Sequence, residues 1–133
     1  MPVRFTCDGE DIHPQLRWAG GPPAEEFALV MVDQDADEFV HWLVYGIPGH
    51  IPAVGAISPP PGAREGQNGF ERIGYGGPCP PRADPAHRYL FTVYSLRVPR
   101  TRGLGPGASL DEVLDAIRCC IQAQGSLSAT YER

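Results

Sequence analysis

Glycine and proline punctuate this chain too densely for a helical protein: it has 16 glycines and 15 prolines in 133 residues. Proline lacks the N–H that a helix interior needs, and glycine loses too much backbone entropy there. A helical bundle or coiled coil is therefore excluded, and a loop-rich β protein is expected. The two residues concentrate between positions 48 and 86. There Pro59-Pro60-Pro61-Gly62, Gly66-Gln67-Asn68-Gly69 and Gly74-Tyr75-Gly76-Gly77-Pro78-Cys79-Pro80-Pro81 follow one another. So long a stretch without regular structure is uncommon inside a compact domain and is usually functional or disordered. With 42% hydrophobic residues and this length, one domain over residues 1–133 can bury its own core.

Three strands and one helix frame that stretch. Phe27 to Asp33 is apolar on both faces, which predicts a buried central strand. Val40 to Ile47 predicts a second, ended by Pro48-Gly49; its pairing with the first, parallel or antiparallel, stays open. His87 to Val98 predicts a third, with Tyr89, Phe91, Val93 and Ser95 on one face and Leu90, Thr92, Tyr94 and Leu96 on the other. Ser109 and Glu112 form a capping box. Leu110, Val113, Leu114, Ile117 and Ile121 then share a helix face, with Gly125 suited to its C-terminal cap. The tail from Ser126 to Tyr131 returns as a strand.

Charge and cysteine usage exclude several functions. The net charge is −5, and all 11 basic residues are arginine. Schiff-base or general-base lysine chemistry is therefore impossible, and nothing in the charge pattern predicts nucleic-acid binding. No window is apolar enough for a signal peptide or a transmembrane helix, which makes the cytoplasm the expected compartment. Cys7, Cys79, Cys119 and Cys120 show no C-x-x-C spacing, so no zinc knuckle is expected. Cys119 and Cys120 fall in the predicted helix about 100° apart, so at least one packs in the core.

Polar groups collect at the strand ends. Asp33 closes the first strand, His41 lies just inside the second, and His87 opens the third. If these strands share a sheet, with neighbours about 4.8 Å apart, all three side chains can meet at one edge. Gly76 and Gly77 allow close backbone approach to a ligand there. Two histidines and glycine amides suit a phosphate or carboxylate, and the carboxylate of Asp33 favours a protonated imidazole. The same groups suit acid–base catalysis, with Asp33, His41 and His87 as its residues. Histidine spacings typical of a metal site are absent, and no metal or cofactor is expected. Arg88 is expected to pair with Asp35. Trp18 and Trp42 are expected in the core.

Three segments carry a resemblance. They are Cys7-Asp8-Gly9-Glu10-Asp11-Ile12-His13-Pro14-Gln15-Leu16-Arg17-Trp18; Asp33-Gln34-Asp35-Ala36-Asp37 with Val40-His41-Trp42; and Gly74-Tyr75-Gly76-Gly77-Pro78-Cys79-Pro80-Pro81 with His87-Arg88-Tyr89. Together they resemble the phosphatidylethanolamine-binding protein family in its short bacterial form. The second matches its D-P-D-A-P and H-W signature, the third its G-P-x-P-P and H-R-Y signature.

The resemblance implies a β-sandwich with a few short helices, one of them near the C-terminus, and a small anion pocket. It places Asp33, His41, Gly77, Pro78, His87 and Tyr89 in that pocket, beside Gly76. It implies a phosphorylated headgroup, phosphate or carboxylate as ligand, with a kinase or protease as a regulated protein partner. The alternative is an enzyme that isomerises, cyclises or dehydrates a small metabolite. The resemblance also implies a homodimer, a missing first strand that would leave a sheet edge exposed, and proximity of Cys7 to Cys79. Gln34 and Asp37 replace the family's two prolines, which predicts a looser loop.

Overall fold

The computed structural model describes residues Met1–Arg133. Its elements run β1 (Leu16–Arg17), β2 (Glu26–Asp33), β3 (Phe39–Pro48), β4 (Ala53–Val54), β5 (Arg64–Glu65), β6 (His87–Leu96), α1 (Leu110–Ile117) and β7 (Ile121–Tyr131). Five strands form an antiparallel sheet in the order β5-β3-β2-β6-β7, and β1 pairs with β4 in a second, two-stranded sheet. The open pairing of the first two long strands is thus antiparallel.

The central strand is buried along its whole length, as its two apolar faces require. Phe27, Leu29 and Met31 pack with Trp42, Val44, Ile47, Val54, Tyr89 and Phe91, on the side that also receives Leu16 and Trp18. Ala28, Val30 and Val32 face the other way, onto Leu43, Tyr45, Leu96 and the α1 residues Val113 and Ile117. The small sheet thus covers one face of the large sheet and α1 covers the other, which makes the molecule a mainly β sandwich.

Strand β3 twice carries one residue more than β2 between paired positions. Phe27 pairs with Ile47 and Leu29 with Val44; Met31 pairs with Trp42 and Val32 with Val40. Gly46, at φ +69, takes up the first extra residue, a conformation that only glycine adopts without cost. His41 is the second. An extra residue of this kind re-aims its side chain and is over-represented beside functional sites.

The helix begins as expected: the Ser109 hydroxyl accepts from the Glu112 N–H and the Glu112 carboxylate accepts from the Ser109 N–H. It ends earlier than the apolar periodicity implies. A short 3-10 turn occupies Arg118–Cys120, and Gly125 lies inside β7 instead of capping the helix. Hydrogen-bond pairing with β6 claims the segment from Ile121 onward, and this outweighs one further apolar residue on the helix face. The third long strand likewise stops at Leu96. Disulfides join Cys7 to Cys79 and Cys119 to its neighbour Cys120. Cys120 is buried and Cys119 exposed.

Candidate functional site

Asp33, His41 and His87 meet at one end of the large sheet. Asp33 pairs with Tyr89 in register, so His87, two residues before Tyr89, projects from the same face as both. The turn after β2 is held by Asp33 itself. Its Oδ1 accepts from the Asp35 N–H at 2.8 Å, and its carbonyl accepts from the Ala36 N–H at 3.3 Å. These bonds close the turn where the absent prolines predict looseness.

His87 is gripped by two carboxylates. Its Nδ1 lies 2.6 Å from Asp33 Oδ2 and its Nε2 lies 2.8 Å from Asp84 Oδ2. Carboxylates only accept, so both ring nitrogens donate and the ring is an imidazolium. These hydrogen bonds, Asp33 first, raise its pKa above the ordinary imidazole value. Asp35 is bound by Arg88 through its side chain and backbone, which holds its carboxyl down at about 2.

His41 is the opposite case. Its Nδ1 donates to the Gly76 carbonyl at 2.6 Å. Burial lowers its pKa, more than that hydrogen bond raises it. The ring is therefore neutral, with a lone pair on Nε2. Phe39, Phe70 and Tyr89 surround it edge-on, with centroids 5.1, 5.5 and 5.3 Å away. An imidazolium beside a neutral imidazole makes an acid and a base available side by side.

These groups open onto a cavity of about 190 Å³ lined by Asp33, Ala36, Phe39, His41, Phe70, Cys79, Pro80, Pro81 and His87. Tyr89 is fully buried behind it, and its hydroxyl has no hydrogen-bond partner. Burial, with the charge of Asp33 adding, pushes the Tyr89 phenol up. The glycine amides are already engaged: Gly76 N–H donates to the His41 carbonyl at 2.9 Å, and Gly77 N–H donates to Asp11 Oδ1 at 2.8 Å. Gly76, Gly77 and Pro78, expected to line the pocket, do not line this cavity; of the three, Gly76 reaches the His41 ring, through its carbonyl. The Pro78 carbonyl accepts from the Cys7 N–H, and the Cys7–Cys79 disulfide ties the same loop to the N-terminal segment.

A larger cavity, about 470 Å³, lies at the other end of β2 and β3, lined by Glu25, Glu26, His50, Arg64, Arg102 and backbone around Gly46. Its buried carboxylate, Glu26, is saturated by the backbone N–H groups of Arg100 and Thr101 and by the Thr101 hydroxyl. Its size is therefore no sign of reactive groups within it.

Sequence reasoning placed Asp33, His41, His87 and the Asp35–Arg88 pair. It missed Asp84. That residue stands three positions before His87, and this spacing in a proline-flanked turn is the signal that could have found it.

Comparisons with known proteins agree with this architecture. The family model described as phosphatidylethanolamine-binding protein matches residues 1–132. The UPF0098 protein of Aquifex aeolicus is 41% identical, over 100% of this chain and 81% of its own length. A phosphatidylethanolamine-binding protein homologue of Chlamydia trachomatis superposes with a TM-score of 0.88 at 30% identity, covering 99% of this chain and 88% of that one. YbcL of Escherichia coli, described as a member of the mammalian family, superposes at 0.86 with 29% identity, covering 97% and 85%.

Proposed function

This chain belongs to the phosphatidylethanolamine-binding protein family, and from that membership we propose that it is a small-ligand-binding protein whose pocket at Asp33, His41 and His87 takes a phosphorylated group. Residues 1–133 then act as one binding domain. One observation carries the reading. The His87 imidazolium already presents Nε2–H to an oxyanion, the carboxylate of Asp84, at 2.8 Å. While His87 is protonated, an external oxyanion has a charged donor to bind there. Neutral His41 offers the complementary group, a lone pair on Nε2. A singly protonated phosphate monoester satisfies both: an anionic oxygen accepts from His87 and its P–OH donates to His41. An ionised carboxylate can satisfy only the first.

The outer edge of β7 supports a homodimer. This strand runs for 11 residues and pairs only with β6. Its sequence carries neither proline nor charge from Ile121 to Tyr131, and an edge of this kind is a template for a second strand. No helix is long and apolar enough to cross a membrane. The expected cytoplasmic compartment must be weighed against the two disulfides, because such bonds persist in oxidising surroundings.

The test is an NMR titration of the histidine side chains with inorganic phosphate and phosphoethanolamine. We expect the resonances of His41 and His87 to move together and saturate, and His87→Ala to abolish the response of His41. No movement of either ring in the native protein would overturn the reading.

A further inference from the structure

We propose that Asp84 is a specificity-determining residue: a tethered carboxylate that occupies the anion position on His87 Nε2 and that an entering ligand must displace. This rests on the phosphate-binding reading above and adds to it which anions gain entry.

The placement of Asp84 suits a displaceable group. It lies in the turn between Pro81 and Ala86, where Arg82, Ala83, Pro85 and Ala86 are all exposed. Its own side chain is 43% exposed, against 8% for His87 and 5% for Asp33. The two carboxylates on the one ring therefore differ. Asp33 comes from the buried central strand and has its other oxygen committed to the Asp35 N–H. Asp84 has one backbone bond, its N–H to the Pro81 carbonyl at 3.0 Å, and this bond leaves the side chain able to rotate into water.

Selectivity follows from comparing what leaves with what enters. Asp84 is covalently tethered, so its effective concentration at His87 is in the millimolar range or above. A free carboxylate, such as acetate, would replace one carboxylate with another. It forms no new type of bond and competes against that effective concentration. A phosphate monoanion makes the same bond to His87 and adds a hydrogen bond to His41 Nε2, which Asp84 does not touch. The charge beside the imidazolium is conserved in either exchange, so the added bond decides the outcome. Asp84 thereby acts as a threshold. It excludes ligands that offer only a carboxylate and admits those that engage both histidines.

The experiment compares acetate and phosphate on the native protein and on Asp84→Ala and Asp84→Asn, with the imidazole resonances as the readout and the amide spectrum as the check on folding. In the native protein, phosphate should saturate and acetate should give no response at the same concentrations. In Asp84→Ala, acetate should bind, and phosphate should bind about tenfold more tightly because its tethered competitor is gone. Asp84→Asn, which keeps an acceptor without the charge, should fall between. Phosphate binding that is unchanged across all three proteins, with acetate still excluded, would overturn the role of Asp84 and leave the phosphate pocket standing. Failure of phosphate to bind any of them, Asp84→Ala included, would overturn the pocket reading itself.

Discussion

Strand β2 carries a buried carboxylate at each end, Glu26 at 3% and Asp33 at 4% exposure, and the two ends use that group differently. Glu26 is satisfied by backbone amides and the hydroxyl of Thr101, none of which titrates near neutrality. It fastens the loop after β6 to the sheet. Asp33 is satisfied by an imidazole and one amide. Its main partner can gain or lose a proton, and that partner faces a cavity. The two ends therefore differ in their donors, fixed at Glu26 and able to exchange a proton at Asp33.

The sharpest way to break this contrast is through the disulfide, which braces only the Asp33 end. Cys7 and Cys79 are 72 residues apart in sequence, and closing a loop of that length stabilises by about 4 kcal/mol in the chain-entropy account. Cys7→Ser should lower the unfolding free energy by up to that amount, measured by urea denaturation. A loss below about 1 kcal/mol would show that the brace is dispensable.

Glu26→Ala should cost about 3 kcal/mol, because it leaves the amides of Arg100 and Thr101 and the Thr101 hydroxyl without their acceptor. The same variant should leave the histidine titrations at the far end of β2 unchanged. If His41 or His87 shifts, the two ends are coupled and the contrast fails.

The smallest effect is the pH dependence of stability near neutrality, which the two shifted histidines at the Asp33 end set. His87 has a raised folded pKa, so its contribution is complete below the unfolded value near 6.5 and is lost as pH rises through the folded value. His41 has a lowered folded pKa. Its contribution is present above about 6.5 and is lost as pH falls toward the folded value. Together they give a stability maximum near pH 6.5. His87→Asn should remove the alkaline limb and leave the acid limb, as read from urea midpoints across pH. Retention of both limbs would refute the assignment.

Much of this was legible in the residues. The apolar faces of Phe27 to Asp33 required a buried central strand, and the signatures around His41 and His87 identified the family and marked the sheet end where the two rings line one cavity. Three things were hidden, each for a physical reason. The end of α1 depended on β6 competing for Ile121 onward, a long-range pairing that helical periodicity cannot register. The grip of Asp84 on His87 depended on a turn within a segment that reads only as loop. The engagement of the Gly76 and Gly77 amides depended on contacts with β3 and with Asp11, far away in sequence.

The extra residue at His41 has a further consequence. Along a regular strand the side chains keep step with their neighbours two by two, and here the count is shifted by one between Trp42 and Val40. The position of the neutral imidazole is thus set by phase as well as by chemistry. Deleting a single residue between Phe39 and Trp42 would restore the regular alternation. Any such deletion that spares His41 keeps the histidines and carboxylates of the pocket, yet it takes His41 out of the step that brings its ring to the cavity. For this pocket, an error in length does more damage than most errors in spelling.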